Sequence, residues 1–244
     1  MKNKHSNSTL KQRGNGQKTP GQIIVYVEGR NTEKSYIEQL KRSNLKLVPI
    51  VKKGSGIGSC EEFVDSCTKA YNTLPREQRG KFTQRWLMFD CVGHKDFSAA
   101  IKEARDAGFE VVFSNMCIEY WFLLHFENHS GEPIPCKHDS HSQAQIDLIN
   151  NHIIKYNKSH SKQKVNIYDN GNKEVNDDFF DLMMAVNPET QHRRVEDACN
   201  RSFDIHKRKK SDGAEFSESV TTMHQFLETI GFVKRTEDDK YVVQ

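Results

Sequence analysis

The sequence predicts an α/β fold in which a mostly parallel four-stranded sheet is flanked by helices and carries a helical C-terminal elaboration. Short β-branched apolar runs alternate with segments of helical periodicity through the first half of the chain. A β-α-β-α-β-α-β order predicts parallel strands joined by right-handed crossovers. From Ile118 onward the pattern is mainly helical. We therefore expect an α/β core over residues 21–127 and helices packed on it over residues 128–244.

The predicted strands and helices of the core follow one another with few interruptions. A β-branched run over 22–27 ends at Glu28-Gly29, and a helix signal begins at Asn31 or Thr32. The other core elements are a strand over 45–51, a helix over 61–74, a strand over 85–90, a helix over 97–107 and a strand over 109–113.

The second half of the chain predicts five helices and a short terminal strand. The helices are expected at 118–126, 142–156, 177–186, 189–208 and 217–230, and the strand at 240–243. Two polar stretches between them, 129–141 and 159–173, are longer than simple connectors, so we interpret them as surface insertions.

Residues 1–20 form a segment of different composition. They are polar and contain five basic residues and no acid, namely Lys2, Lys4, Lys11, Arg13 and Lys18. Such a segment has little to bury, so we predict a disordered basic tail. The net charge of the chain is +3, so the remainder carries 3 − 5 = −2. Any phosphate-binding surface outside the tail must therefore be a local patch.

Composition limits the compartment and the class of protein. The 244 residues have a mean hydropathy of −0.78, and their longest apolar runs, such as 23–27, are too short to cross a bilayer. With no apolar signal stretch near the first residues, we expect a cytoplasmic protein without a membrane partner. The six cysteines form no CxxC pair, which indicates free thiols in such a compartment.

Acidic residues follow two of the predicted strands directly. Glu28 ends the first strand and Asp90 ends the third. Carboxyl ends of parallel strands meet at one edge of a sheet, so these carboxylates should lie side by side and favour a divalent cation such as Mg²⁺. Glu119 and His125 flank an apolar helix after the fourth strand, on different faces. Alternatively, Glu28 is only a turn residue, and Glu33 stabilises the positive end of the following helix.

Four segments in the same order resemble the RloB-like family. They are VEGRNTEKSY from Val27, WLMFDCVGH from Trp86, SNMCIEYWFLLHF from Ser114 and AVNPETQH from Ala185. The resemblance implies a Toprim-type fold, shared in outline with topoisomerases, bacterial primases and overcoming-lysogenization-defect nucleases. It also implies association with restriction or abortive-infection loci, often beside an ATPase gene.

By that resemblance, Glu28 would handle protons or a metal and Asp90 would be the first metal-binding aspartate. The Toprim DxD pattern is interrupted, because Val92 stands where a second aspartate is expected. Asp96 or Glu119 would then complete the site, or the site is degenerate. The leading hypothesis is a nuclease of anti-phage or restriction-associated defence that cleaves DNA or RNA with Mg²⁺ or Mn²⁺. The alternative is a non-catalytic nucleic-acid-binding or regulatory subunit.

Three weaker patterns complete the candidates. The glycine-rich 54–59 favours a plain turn over a phosphate loop, since it lacks a GK[ST] ending. Cys136, His138 and His141, with His129 upstream, lack the CxxC half of a zinc site, so zinc is not favoured. Candidate nucleic-acid contacts are Arg30, Lys52, Lys53, His94, His125, His192 and the basic run Lys207, Arg208, Lys209 and Lys210, which could instead complement a helix dipole.

Overall fold

A five-stranded sheet in the order β2-β1-β3-β4-β5 organises the chain in the computed structural model, which describes residues 21–51, 59–90, 96–135, 142–169 and 171–244. The predicted basic tail lies outside these residues. The strands are β1 Gln22–Val27, β2 Leu47–Val51, β3 Phe82–Asp90, β4 Glu110–Asn115 and β5 Val220–Thr221. The first four run parallel to one another. The predicted mixed α/β class with a mostly parallel sheet is confirmed.

The predicted count of four strands is wrong. β5 pairs antiparallel to β4, with Ser114 opposite Thr221 and Asn115 opposite Val220. The hydroxyls of Ser114 and Thr221 lie 2.8 Å apart, and the amide of Phe113 donates to the Thr222 hydroxyl at 3.0 Å. A two-residue strand is too short to show an alternating pattern, so these residues were predicted to belong to the helix expected at 217–230.

Nine α-helices are found within the described ranges. They are α1 Thr32–Leu40, α2 Cys60–Thr73, α3 Arg76–Arg79, α4 Phe97–Asp106, α5 Ile118–Leu123, α6 Gln143–Ser159, α7 Asp177–Met184, α8 Arg194–Ser211 and α9 Met223–Thr229. A 3-10 turn over Lys41–Ser43 follows α1. A hairpin of β6 Val233–Arg235 and β7 Tyr241–Val243 ends the chain.

Most predicted helices begin and end within three residues of the observed ones, but α8 begins five residues and α9 six residues later than predicted. Residues 187–193 instead form a turn held by Asp197, whose carboxylate accepts from Asn187 Nδ2 at 2.8 Å and from Thr190 Oγ1 at 2.7 Å. Asparagine and threonine side chains that bond nearby groups compete with helix formation. The short α3 and β6 were also missed.

One apolar core joins the sheet to helices from both halves of the chain. Trp121, Tyr36, Tyr120 and Phe122 are among its largest fully buried side chains. The Trp121 indole donates to the Tyr36 hydroxyl at 3.0 Å, which ties α5 to α1. α8 packs on β5 and α9 packs on β4. No helix in the described part of the chain is long and apolar enough to span a membrane.

The strand order β2-β1-β3 indicates where a ligand can bind. The chain passes from β1 to β2 on one side and then crosses back to place β3 on the other side of β1. In open α/β sheets, the carboxyl ends of the two strands at such a reversal border a crevice that binds ligands. Here those strands are β1 and β3, and Glu28 and Asp90 lie at their ends.

Candidate active site

A cavity of about 480 Å³ opens at this carboxyl edge. Its walls come from the β1–α1 turn, the end of β3, the start of α5, and residues that precede α6 and α7. Five charged residues line it, three of them acidic: Glu33, Asp90, Glu119, Arg30 and Lys173.

Strand register brings the two predicted acids to one edge. Val27 pairs with Met88, and the amide of Glu28 donates to the Met88 carbonyl at 3.3 Å. The predicted adjacency of the first and third strands is therefore confirmed. The charge of Glu28 contributes to raising the pKa values of both Glu33 and Asp90, so it lies within electrostatic reach of the cavity.

Glu33 is a buried carboxylate in the wall of the cavity, and its pKa is raised. It lies in the first turn of α1 and is only 5% exposed. Its pKa is raised from 4.5 to about 7, mainly by burial and also by the charges of Glu119 and Glu28, against the lowering effects of a backbone hydrogen bond and Lys173. Its carboxylate lies against Gly29, where a Cβ atom would come within 1.7 Å of Glu33 Oε2. Glycine is therefore needed at position 29 for the close approach.

Asp90 is affected by the same charges. Burial raises its pKa well above the usual range, and the carboxylates of Glu33, Glu119 and Glu28 add to this effect. Lys173 partly opposes the shift. The direction means that burial and the neighbouring carboxylates together outweigh the effect of Lys173 on the pKa of Asp90.

Glu119 is 2% exposed and contacts the side chains of Lys173 and Tyr168. Its Oε1 lies 3.7 Å from the Lys173 ammonium and accepts from the Tyr168 hydroxyl at 3.4 Å. Burial, together with the charge of Glu119, raises the pKa of Tyr168, which therefore stays a neutral donor. The Lys173 ammonium also donates to the Ser142 hydroxyl at 2.7 Å.

The segment that carries Lys173 is fixed to α1 by several hydrogen bonds. The Asn31 amide donates to the Asn172 carbonyl and the Thr32 hydroxyl to the Lys173 carbonyl, each at 2.9 Å. The amide of Val175 donates to the Ser35 hydroxyl at 2.9 Å. The interpretation of 159–173 as only a surface insertion is therefore wrong at its end, because Lys173 belongs to the wall of the cavity.

These residues suit a hard divalent cation in chemistry and charge. When all are ionised, Arg30 and Lys173 against Glu28, Glu33, Asp90 and Glu119 leave a charge of 2 − 4 = −2. Mg²⁺ takes oxygen ligands, keeps several waters and often uses only one or two carboxylates. Among the described residues, no three His, Cys, Asp or Glu side chains form a ready-made metal cage. The donor set thus fits a hydrated cation rather than one fully enclosed by protein.

The model of one protein family, described as RloB-like protein, matches residues 23–230. The chain belongs to the RloB-like family. The match covers most of the chain and includes all four segments that carry the resemblance. No curated protein and no solved structure matches this chain.

Asp96 is placed elsewhere by the fold of this RloB-like protein. Its carboxylate accepts from the Glu61 amide at 3.1 Å, at the first turn of α2. That contact satisfies a helix amide, and Asp96 does not line the cavity. Of the two candidates to complete the acidic set, the cavity therefore contains Glu119. The neighbouring Cys91, Val92 and His94 lie outside the described residues, as do Lys52 and Lys53.

His125 is a core residue rather than a ligand contact. Its ring is fully buried and its Nδ1 bonds to the Trp121 carbonyl at 3.0 Å. Burial lowers the pKa of His125 to about 3, so the ring is neutral. The expectation that it contacts nucleic acid fails, because a buried ring cannot reach a polyanion.

The other candidate contacts lie on the surface or in the wall of the cavity. Arg30 lines the cavity and is exposed. His192 is exposed and sits 3.5 Å from the Asp197 carboxylate, in the turn before α8.

The basic run at the end of α8 makes contacts within the protein. Arg208 donates to the Ser130 carbonyl, Lys209 pairs with Glu132 at 3.3 Å, and Lys210 pairs with Glu215 at 3.6 Å. Lys207 lies over the Phe203 ring.

The loop histidine suspected of zinc binding has structural partners. His129 Nδ1 accepts from the Gly131 amide and contacts the Tyr120 hydroxyl, both at 3.0 Å. Cys136, His138 and His141 lie outside the described residues, so no zinc geometry can be assigned. Of the glycine-rich 54–59, only Ser59 is described, and its hydroxyl accepts from the Glu62 amide as the N-cap of α2.

Two charged residues of the cavity were not selected from the sequence as site residues. Glu33 was assigned only to the helix dipole, although it lies in the same VEGRNTEKSY segment as Glu28. Lys173 had no such signal, since it ends a polar stretch and reaches the cavity through long-range contacts with α1.

Proposed function

We propose that this protein is a divalent-metal-dependent nucleic-acid phosphodiesterase of Toprim type, acting in anti-phage or restriction-associated defence. The observation that carries the proposal is the convergence of Glu28, Glu33, Asp90 and Glu119 at the strand reversal of a parallel sheet. A charge excess in a partly closed cavity favours a cation. Family membership supports the same class of activity through the motifs that the chain shares.

The carboxylates have separable tasks in this proposal. Glu28, Asp90 and Glu119 would hold Mg²⁺ or Mn²⁺. When bound, the ion would supply stabilisation of the attacking or leaving oxygens in phosphodiester cleavage. Glu33 lies beside them and would exchange protons with water or substrate; its pKa is about 7 in the metal-free protein, and a bound cation would lower it.

The basic residues of the cavity would orient the substrate. Lys173 is about one-third exposed, and its ammonium lies 3.7 Å from Glu119 Oε1. Arg30 lies at the first turn after β1 and also lines the cavity. Both can contact phosphate oxygens, Arg30 with two donors at once and Lys173 as a compact charge.

A second function is a non-catalytic nucleic-acid-binding or regulatory subunit of a defence complex. It is favoured by the lack of a ready-made cage of three metal ligands among the described residues and by Val92 in place of an aspartate. In that case the cavity would bind metal weakly, and any ATPase encoded nearby would supply the chemistry.

Cleavage assays separate the two functions. Purified protein would be incubated with single- and double-stranded DNA, RNA and transfer RNA in Mg²⁺ or Mn²⁺, alone and with an ATPase encoded beside its gene. We expect metal-dependent products that Asp90→Asn and Glu119→Gln abolish and that Asp96→Asn retains, because Asp96 bonds to α2. Intact substrates in every condition would reject the enzymatic function.

A further inference from the structure

A second cleft, of about 610 Å³, lies at the edge of the sheet opposite the acidic cavity. It surrounds the start of β3 and is bordered by the end of α2 and by α3. Three arginines, Arg76, Arg79 and Arg85, line this arginine cleft, and no acidic residue of the described ranges does. The cleft therefore concentrates positive charge, although residues 21–244 together carry a negative net charge.

Arg85 is held in place by its neighbours. Its Nε donates to the Gly108 carbonyl, and its guanidinium carbon lies 4.8 Å from the Tyr71 ring centroid and 5.3 Å from that of Phe109. Stacking orients a guanidinium without neutralising it. The positive charge at the inner wall of the cleft is thus fixed in position.

Arg76 and Arg79 stand one helical turn apart on α3. Neither forms an ion pair in the described part of the chain, in contrast to Lys209 and Lys210, which pair with Glu132 and Glu215. Both arginines therefore keep donors available for an anionic ligand.

We propose that the arginine cleft binds the phosphodiester backbone of a nucleic acid, separately from the acidic cavity. Arginine favours phosphate through bidentate hydrogen bonds. The class of ligand rests on the proposed function. Along β3, Arg85 of the cleft and Asp90 of the cavity are five residues apart, roughly 17 Å at about 3.3 Å per residue. At about 3.4 Å per base pair, a duplex that contacts both must therefore span at least about 5 base pairs.

Binding of a labelled duplex of about 20 base pairs, measured by fluorescence anisotropy in EDTA across a salt series, tests the proposal. EDTA prevents metal-dependent cleavage. Relative to the wild type, Arg76→Gln/Arg79→Gln should bind more weakly. It should also reduce the slope of log K against log salt by about 1.8, about 0.9 for each of two lost phosphate contacts.

The matched control is Lys155→Gln/Lys158→Gln, which removes two exposed charges one turn apart on α6. This control should leave the slope unchanged. An unchanged slope in the arginine variant, or an equal loss in the lysine variant, would overturn the proposal. Equal affinity for poly-glutamate at the same salt would also overturn it, because the surface would then not be selective for phosphates.

The outcome is independent of the proposed catalysis. If binding is salt-dependent and requires Arg76 and Arg79 but the protein cleaves nothing, the arginine cleft is supported as a nucleic-acid site and nuclease activity is rejected. Metal-dependent cleavage with unchanged binding by the arginine variant would support the nuclease and reject the cleft.

Discussion

Replacing Glu33 by glutamine should change how the stability of the metal-free protein depends on pH. A carboxyl whose pKa is raised from 4.5 to about 7 on folding stabilises the fold while it is protonated, and that contribution is lost as pH rises. Between pH 5 and pH 8, ionisation of Glu33 should cost the wild type roughly 2–3 kcal/mol. Glutamine is isosteric and uncharged, so Glu33→Gln should lose this part of the pH dependence.

Urea denaturation in EDTA at pH 5 and pH 8 measures the effect. For a chain of this size, roughly 2–3 kcal/mol corresponds to about 4–12 °C in melting temperature, so thermal unfolding gives a second readout. Glu103→Gln is the control, since Glu103 is exposed on α4 and makes no side-chain hydrogen bond or ion pair among the described residues. If Glu33→Gln keeps the full wild-type pH dependence of stability, or if Glu103→Gln reduces it equally, the raised pKa of Glu33 does not contribute to that dependence.

Three further outcomes are expected. Glu28→Gln and Asp90→Asn should leave the melting temperature without metal unchanged or raised, because each relieves repulsion between carboxylates. Both variants should lose the roughly 2–3 kcal/mol of stabilisation that Mn²⁺ at about 100 times Kd adds to the wild type. If both variants instead unfold without metal, these acids are structural anchors. Gly29→Ala should displace the Glu33 carboxylate and lower Mn²⁺ affinity in calorimetry, and wild-type affinity would contradict the close approach. Removal of residues 1–20 should keep the melting temperature but flatten the salt dependence of nucleic-acid binding, and a drop of several degrees would show that the segment packs on the fold.

The sheet could be predicted because its strands carry strong local signals. β1 and β3 are β-branched or aromatic runs that end at acids, and their parallel pairing follows from the alternation with helices. β5 could not be found in this way, because its two residues depend on hydrogen bonds to β4 over a separation of about a hundred residues. The sequence therefore indicated the fold class and one edge of the sheet, but not its last strand.

The candidate site was predictable only where it follows strand ends. Glu28 and Asp90 were found from position alone, whereas Asp96 and Glu119 could not be ranked until the fold placed Asp96 at α2 and Glu119 in the cavity. Lys173 reaches the cavity because α1 binds its segment through backbone carbonyls, and such contacts leave no pattern in the sequence.

Mn²⁺ titration calorimetry of the wild type and Asp90→Asn measures whether the acidic cavity binds a metal ion, and it requires no knowledge of the substrate. We expect saturable binding by the wild type that is lost in Asp90→Asn, while both proteins keep the same circular dichroism spectrum. Absence of Mn²⁺ binding by the wild type, or equal binding by both proteins, would contradict the claim that these carboxylates form a metal centre.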